Sequence, residues 1–100
     1  MRNLYDRVAP ALAALEDGTW RSASAAEGHE LVELERAGDA AFRQGDLRHA
    51  ERIFRALESR PEHRLRMMLK RSDVAFVRGR LDEERRLRES IYGRLVAEDR

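Results

Sequence analysis

Cysteine is absent from this chain of 100 residues, proline occurs twice, and aromatic residues make up only 6%. Without cysteine, neither a disulfide framework nor thiolate chemistry is available. No apolar run approaches the ~20 residues of a membrane-spanning helix. The charged N-terminal residues, Met1 to Asp6, lack the apolar core of a signal peptide. We therefore expect a cytoplasmic protein without a membrane span.

Lysine is nearly absent as well, because Lys70 stands alone beside 19 arginines. The formal net charge is only +1, so no strong overall field draws the chain to nucleic acid or to a membrane. The charge is unevenly placed, with −3 over residues 1–50 and +4 over residues 51–100. Such an asymmetry is compatible with head-to-tail self-association or with an acidic partner.

The abundant residues are alanine, leucine, glutamate and arginine, which favour helices. Apolar residues recur at steps of three and four, the spacing of an amphipathic helix, and no alternating strand pattern is present. We predict an all-α fold with five helices. The first covers residues 3–16, and the second starts at Ser24 and is broken by Gly45-Asp46. The third follows that turn and stops before Pro61. The fourth starts at Glu62 and ends at Gly79-Arg80, and the fifth runs from about Asp82 onward.

Three local features refine these helices. Pro10 lies within the first one and is expected to kink or split it. Trp20 follows in a linker, where its large ring is expected to hold the first helix against the rest. Ser24 to Glu27 has the S-x-x-E spacing of a capping box, which predicts the start of the second helix.

A nine-residue pattern occurs twice, at an offset of 34 residues. Asp, Ala, Phe, Gly and Leu recur in register between residues 39–47 and residues 73–81. A period of 34 is typical of a stacked helix–turn–helix unit. The recurring alanines let two helices approach closely, and the glycines permit a tight reversal. Leu47 and Leu81 are expected to plug each helix pair from beyond the turn.

The first copy of this unit, residues 31–62, resembles the tetratricopeptide repeat. The family signature is W-x2-L-G-x2-Y, then A-x3-F, then P. Leu34 stands at the Trp position, Ala37-Gly38 at Leu-Gly, and Ala41 at the Tyr position. Ala50 and Phe54 supply A-x3-F, and Pro61 falls about one residue early.

The second copy, residues 65–98, departs from the signature. Met68 and Ser72 stand at the Trp and Gly positions, and Glu84 and Arg88 replace the small Ala and the Phe. An arginine at that place suits a terminal unit, since end repeats need a polar outer face. Residues 80–100 are therefore interpreted as a capping helix.

The resemblance implies a short, TPR-like α-solenoid of antiparallel helical hairpins. Residues 1–20 would form an N-terminal capping helix and linker, and residues 21–100 the two hairpins. The alternative is an unrelated five-helix bundle with a chance duplication. Because such repeats usually bind proteins, the resemblance favours a non-enzymatic adaptor without a cofactor.

In this family, the inner face of the first helix of each pair usually binds an extended segment or helix of a partner. Val32 and Val77 align to that face, together with the predicted partner-binding residues Glu35, Asp39, Phe42, Arg43, Arg66, Leu69, Asp73 and Phe76. Members that grip a C-terminal carboxylate carry Asn where this chain has Asp39 and Asp73, so such a clamp is not expected.

Two aligned carboxylates beside two aligned phenylalanines suit a basic, aromatic or aliphatic peptide. The alternative interpretation places both phenylalanines in the core and both aspartates in solvent, with Asp39 paired with Arg43 one turn on.

Catalytic and metal sites are not expected. His29, His49 and His63 match no ligand spacing, and the His29–Glu33 segment resembles H-E-x-x-H but ends in glutamate. An arginine-rich stretch over residues 78–94 is compatible with contact to nucleic-acid phosphates. However, acids precede arginines by four residues at Glu51, Glu62, Asp82 and Glu84. This order predicts a salt-bridged outer surface, and nucleic-acid binding is not favoured.

Two repeats are fewer than the roughly three stacked units that such folds usually need. Either the first helix and Trp20 supply the missing surface or two chains associate. We predict a homodimer, and a self-associating structural or regulatory protein is the second functional hypothesis. The candidate contact residues are Leu4, Val8, Leu12, Leu15, Ile91, Tyr92 and Leu95.

Overall fold

The computed structural model describes residues 4–20 and 25–98, and this part of the chain is helical without a strand. A 3₁₀ turn, Pro61–His63, precedes the fourth helix. The α-helices are α1 (Leu4–Glu16), α2 (Ala25–Arg43), α3 (Leu47–Leu57), α4 (Arg64–Val77) and α5 (Leu81–Glu98). The predicted all-α class and the five helices are confirmed for the described residues.

The turns form where the sequence places glycine, aspartate and proline. Gly45 and Gly79 adopt φ angles of 83° and 77°, a left-handed conformation that is unfavourable for residues with a Cβ. Asp46 caps α3 by accepting a hydrogen bond from the backbone N–H of His49. Ser24, the first residue of the predicted capping box, lies outside the described residues.

Pro10 does not split α1, contrary to one of the expected outcomes. The helix continues from Leu4 to Glu16 with Pro10 inside it. Pro10 is exposed, so the backbone bond that it cannot make faces solvent, where its loss is least costly.

The helices α2 and α3 form the first hairpin and run antiparallel. Gly38 of α2 lies against Ile53 and Phe54 of α3, at a similar distance along the chain from the turn at Gly45. A Cβ on Gly38 would lie 2.6 Å from Cε1 of Phe54 and 3.0 Å from Cγ2 of Ile53. Glycine is therefore required for this close approach of the two helices.

The helices α4 and α5 form the second hairpin, also antiparallel, because Met68 near the start of α4 packs with Leu87 and Ile91 in α5. The molecule measures 40 × 32 × 20 Å. Its shortest dimension equals about two helix diameters of 10–12 Å each, so the helices form two layers.

The hydrophobic core is divided unequally. A large cluster joins α1, α2, α3 and the inner side of α4, and its fully buried side chains include Leu12, Leu34, Ile53, Phe54 and Met67. A small cluster between α4 and α5 contains only Met68, Leu87 and Ile91, with Leu65 packed against it. The first hairpin is therefore much better buried than the second.

The N-terminal helix belongs to the large cluster. Val8, Leu12 and Leu15 are buried in it, and Trp20 packs against it. The predicted role of Trp20 is thus confirmed. The prediction that Val8, Leu12 and Leu15 form a dimer surface is wrong, because other parts of the same chain cover these side chains. The side chain of Leu4 lies outside the described residues.

The two plug residues behave differently. Leu47 packs against the large cluster as predicted. Leu81 is 57% exposed, so the prediction is wrong for the second hairpin. The physical reason is the small size of the α4–α5 cluster, which does not extend to the start of α5.

Candidate partner-binding groove

The helices α2 and α4 run in the same direction on either side of a groove, and α3 packs against both of them. Two pairs of side chains show this, because Glu35 contacts Arg66 and Asp39 contacts Lys70, both across an interval of 31 residues. Both pairs are spaced by four residues on their helices, which places them on one face, one turn apart. The first helices of the two hairpins therefore face a common groove.

A small cavity of about 150 Å³ lies in this groove. Phe54 of α3 lies beneath Asp39 and Phe42 of α2 and Lys70 and Asp73 of α4. Three residues predicted from the sequence, Asp39, Phe42 and Asp73, are thus brought together. Its volume suits a single side chain of a partner rather than a whole small molecule.

Charged side chains connect the two walls of the groove. Arg66 donates two hydrogen bonds to Glu35, at 3.1 Å from Nε and 2.7 Å from Nη2. The Nζ atom of Lys70 lies 2.7 Å from Oε2 of Glu35 and 2.8 Å from Oδ1 of Asp39. Lys70 also lies over the ring of Phe54, 5.6 Å from its centroid, a favourable cation–π contact. This network fixes α4 against the first hairpin.

The network favours the charged forms of Lys70 and Glu35. Burial alone would lower the pKa of Lys70, but its hydrogen bonds to Asp39 and Glu35 outweigh burial and raise that pKa above 10.5. Burial would likewise raise the pKa of Glu35, but hydrogen bonds from Arg66 and Lys70 outweigh it and lower that pKa below 4.5. Glu35 and Lys70 are therefore ionised at neutral pH.

The two aspartates of the recurring pattern differ in their surroundings. Asp39 is neutralised by Lys70. Asp73 is exposed, and no side chain in the described ranges 4–20 and 25–98 forms a hydrogen bond or ion pair with it. Asp73 is therefore the carboxylate that remains available to a partner.

The two phenylalanines also differ. Phe42 is partly buried against the large cluster, whereas Phe76 is 61% exposed. The alternative interpretation is thus right for Phe42 and for the solvated Asp73. It is wrong for Phe76 and for Asp39, which pairs with Lys70 rather than with Arg43.

The other predicted residues extend the groove along α4. Leu69, Asp73 and Phe76 are spaced by four and three residues, so they share one face of the helix, and Leu69 is 49% exposed. Val32 and Val77 are exposed as well, at 47% and 56%. Arg43 is exposed at the end of α2. We call Leu69, Asp73 and Phe76 the α4 strip.

Lys70 is the residue that the sequence interpretation missed. Its signal was present, since Glu35 and Asp39 are four residues apart on one helix and Arg66 and Lys70 are four apart on the other. Opposite charges at matching spacings on two neighbouring helices indicate cross-helix ion pairs. Spacings within a single helix do not reveal such pairs, because the partners lie 31 residues apart in the sequence.

The predicted pairs within helices form in part. Glu51 contacts Arg55 at 2.8 Å, and Glu84 contacts Arg88 at 2.7 Å. Arg66 instead pairs with Glu35, and Arg86 lies 3.4 Å from the backbone carbonyl of Asp82. The Arg-rich outer surface is thus salt-bridged at some but not all of the expected positions.

Two absences concern the described residues. Within them, no group of three or more His, Asp or Glu side chains is placed to hold a metal ion. None of their helices is long and apolar enough to cross a lipid bilayer. Comparison of the chain with protein-family models, curated protein sequences and solved structures gives no significant match.

Proposed function

We propose that this chain is a non-enzymatic, cytoplasmic adaptor of the tetratricopeptide type that binds a segment of a partner protein along α2 and α4. The observation that carries the proposal is the α4 strip, where an unpaired carboxylate lies between two exposed apolar side chains beside a small cavity. Groove recognition of a peptide needs this combination of a charge and apolar anchors.

The surroundings of the strip restrict the partner. Glu35 and Asp39 already interact with Arg66 and Lys70, so they add little attraction for an incoming charge. Asp73 attracts a lysine or arginine, and Leu69 and Phe76 offer apolar area whose burial contributes about 25 cal/mol per Å². The preferred segment therefore carries one basic residue flanked by apolar ones, and the cavity beside Phe42 accepts one aliphatic side chain.

A second candidate function is self-association through α5. Ile91 was predicted to lie in the dimer contact, but it is 6% exposed and belongs to the small cluster. That prediction is therefore wrong for Ile91. Tyr92, Leu95 and Val96 are 70%, 48% and 37% exposed. These three apolar side chains near the end of α5 are the surface that a second copy would cover in a homodimer.

One set of variants separates the two functions. Asp73→Arg reverses the free charge of the α4 strip without removing a contact, and Glu89→Arg makes the same change on the exposed surface of α5. Partners are identified by pull-down from the native cell extract and mass spectrometry, and their affinity is then measured by calorimetry. The adaptor proposal expects Asp73→Arg to weaken binding at least tenfold, about 1.4 kcal/mol, and Glu89→Arg to leave it unchanged.

The oligomeric state is measured on the same samples. Tyr92→Glu places a charge on the α5 surface, and light scattering then reports whether a dimer of the 11.6 kDa chain becomes a monomer. Partner binding that survives Asp73→Arg would contradict the adaptor, and a wild-type monomer at high concentration would contradict self-association.

A further inference from the structure

A second and larger cavity shares no lining residue with the groove. Its volume is about 670 Å³, within the range of about 300–1,000 Å³ that small-molecule sites occupy. The end of α1, one side of α3 and the turn between α4 and α5 meet around it. The walls carry the arginines Arg48, Arg52, Arg55, Arg78 and Arg80. We call this cavity the arginine cleft.

The carboxylates of the cleft do not balance its arginines. Among the described residues that line it, the carboxylates are Glu16 and Glu51. Glu83 lies just outside this lining, 3.8 Å from Arg55 and 3.6 Å from Arg80. The five arginines therefore exceed the three nearby carboxylates by two positive charges. Arg52 donates two hydrogen bonds to Glu16, at 2.8 and 2.7 Å. These hydrogen bonds hold the pKa of Glu16 below its ordinary value. Glu16 is therefore charged and committed to one arginine.

Glu51 is shared by three guanidinium groups. It accepts hydrogen bonds from Arg55, at 2.8 Å, and from Arg78, and it lies 3.7 Å from Arg80. One carboxylate cannot satisfy three forked donors, since each guanidinium carries five N–H groups. The cleft therefore holds donors in excess of the acceptors that its own walls supply.

Two arginines of the cleft keep their donors available. Arg48 forms no side-chain hydrogen bond or ion pair within the part of the chain that the structure describes. Arg80 approaches Glu51 and Glu83 only to 3.7 and 3.6 Å, beyond hydrogen-bond distance. Both are exposed, so an incoming anion reaches them without breaking an internal hydrogen bond.

We propose that the arginine cleft binds a phosphorylated small molecule that carries a diphosphate or triphosphate group. Guanidinium groups bind phosphate oxygens through paired N–H donors, and a group with two or more negative charges matches the excess on the walls. Buried Leu15 and Ala56 supply an apolar floor beside the guanidinium groups. The inference is independent of the groove and of its partner.

The test uses inorganic pyrophosphate as the probe, titrated into the full chain by calorimetry at about 50 mM salt, where screening is modest. Arg48→Gln with Arg80→Gln removes the two available guanidinium groups. Arg85→Gln with Arg94→Gln removes two exposed arginines of α5 that do not line the cleft. Circular dichroism checks that both double variants remain helical.

The expected result is saturable binding of one pyrophosphate per chain, weakened about tenfold or more in the cleft variant and less than about twofold in the α5 variant. The absence of saturable binding to the wild-type chain would overturn the proposal. An equal loss in both double variants would overturn it too, because it would show attraction to the overall charge rather than to the cleft.

Discussion

Equivalent positions of the two hairpins lie in different surroundings. Phe54 of α3 is 2% exposed, whereas Arg88, 34 residues later on α5, has a side chain that is 71% exposed. Ala50 of α3 is fully buried. Its counterpart Glu84 is also buried, but it is a carboxylate that pairs with Arg88. The helix α4 covers the first hairpin, while α5 packs mainly against α4 alone. A recurring sequence pattern thus specifies the hairpin, but the neighbouring helices decide which of its positions become core.

The same difference explains the candidate surfaces. Phe42 and Leu47 of the first hairpin pack against the large cluster. Their counterparts Phe76 and Leu81 in the second hairpin are 61% and 57% exposed. Residues that complete the core in one hairpin are therefore available for binding in the other.

The largest expected effect comes from truncating the pair of equivalent residues Phe54 and Arg88. Phe54→Ala leaves a cavity in the large cluster and is expected to lower the free energy of unfolding by about 3–5 kcal/mol. Arg88→Ala truncates a side chain that is 71% exposed, but it leaves the buried carboxylate of Glu84 without its ion-pair partner. Its expected cost is therefore about 1–2 kcal/mol, still below that of Phe54→Ala. Chemical denaturation followed by circular dichroism measures both, and similar losses in the two variants would show that the hairpins are equally packed.

Much of the fold follows from the sequence because local chemistry controls it. Glycine at the turns, Asp46 at the cap of α3 and the three-to-four spacing of apolar residues all act within a few residues of one another. The burial of Phe42 and the exposure of Phe76 were not predictable in this way, since both residues occur in the same local pattern. Their difference depends on which helices pack nearby, and that is a long-range property.

The candidate site shows the same division. The resemblance to a repeat family placed Asp39, Phe42 and Asp73 on one side of the molecule, and the structure brings them together. The resemblance could not show that Asp39 is already neutralised, because its partner Lys70 lies on another helix, 31 residues away in the sequence. The distinction between an occupied and an available carboxylate therefore required the position of α4 relative to the first hairpin.

A smaller effect is expected from placing alanine at equivalent positions of the two hairpins. Gly38→Ala forces a Cβ against the buried ring of Phe54, and such overpacking costs about 1–3 kcal/mol. Its counterpart Ser72 is already larger than alanine and is buried. Ser72→Ala loses only a hydroxyl that donates to the Leu69 carbonyl of its own helix, with an expected cost of under about 1 kcal/mol.

Gly93→Ala is the control for helix propensity in this comparison. A Cβ at Gly93 of α5 would meet nothing within 4 Å, so alanine is expected to stabilise the chain by about 0.5–1 kcal/mol. Thermal unfolding of the three variants measures the differences. A Gly38→Ala variant as stable as Gly93→Ala would show that α2 and α3 do not approach as closely as the structure indicates.

The smallest effect is expected where α4 is attached to the first hairpin. Lys70→Met removes the cation shared by Glu35 and Asp39 and is expected to cost about 1 kcal/mol at neutral pH, the value of a typical hydrogen-bonded contact. Arg36 occupies the equivalent position in the first hairpin and is exposed. Arg36→Met is therefore the matched control, with an expected change within about 0.5 kcal/mol.

The pH dependence of the stability difference between the wild type and Lys70→Met identifies its cause. The pKa of Glu35 is lowered, so its contribution is present above 4.5 and is lost as the pH falls through the folded-state value below 4.5. The pKa of Lys70 is raised, so its contribution is present below 10.5 and is lost as the pH rises through the folded-state value above 10.5. Denaturation midpoints of the wild type and Lys70→Met should therefore differ most between these limits and converge outside them. If the difference in midpoint stayed constant across the whole pH range, Lys70 would hold α4 against the first hairpin through the packing of its methylene groups and not through its charge.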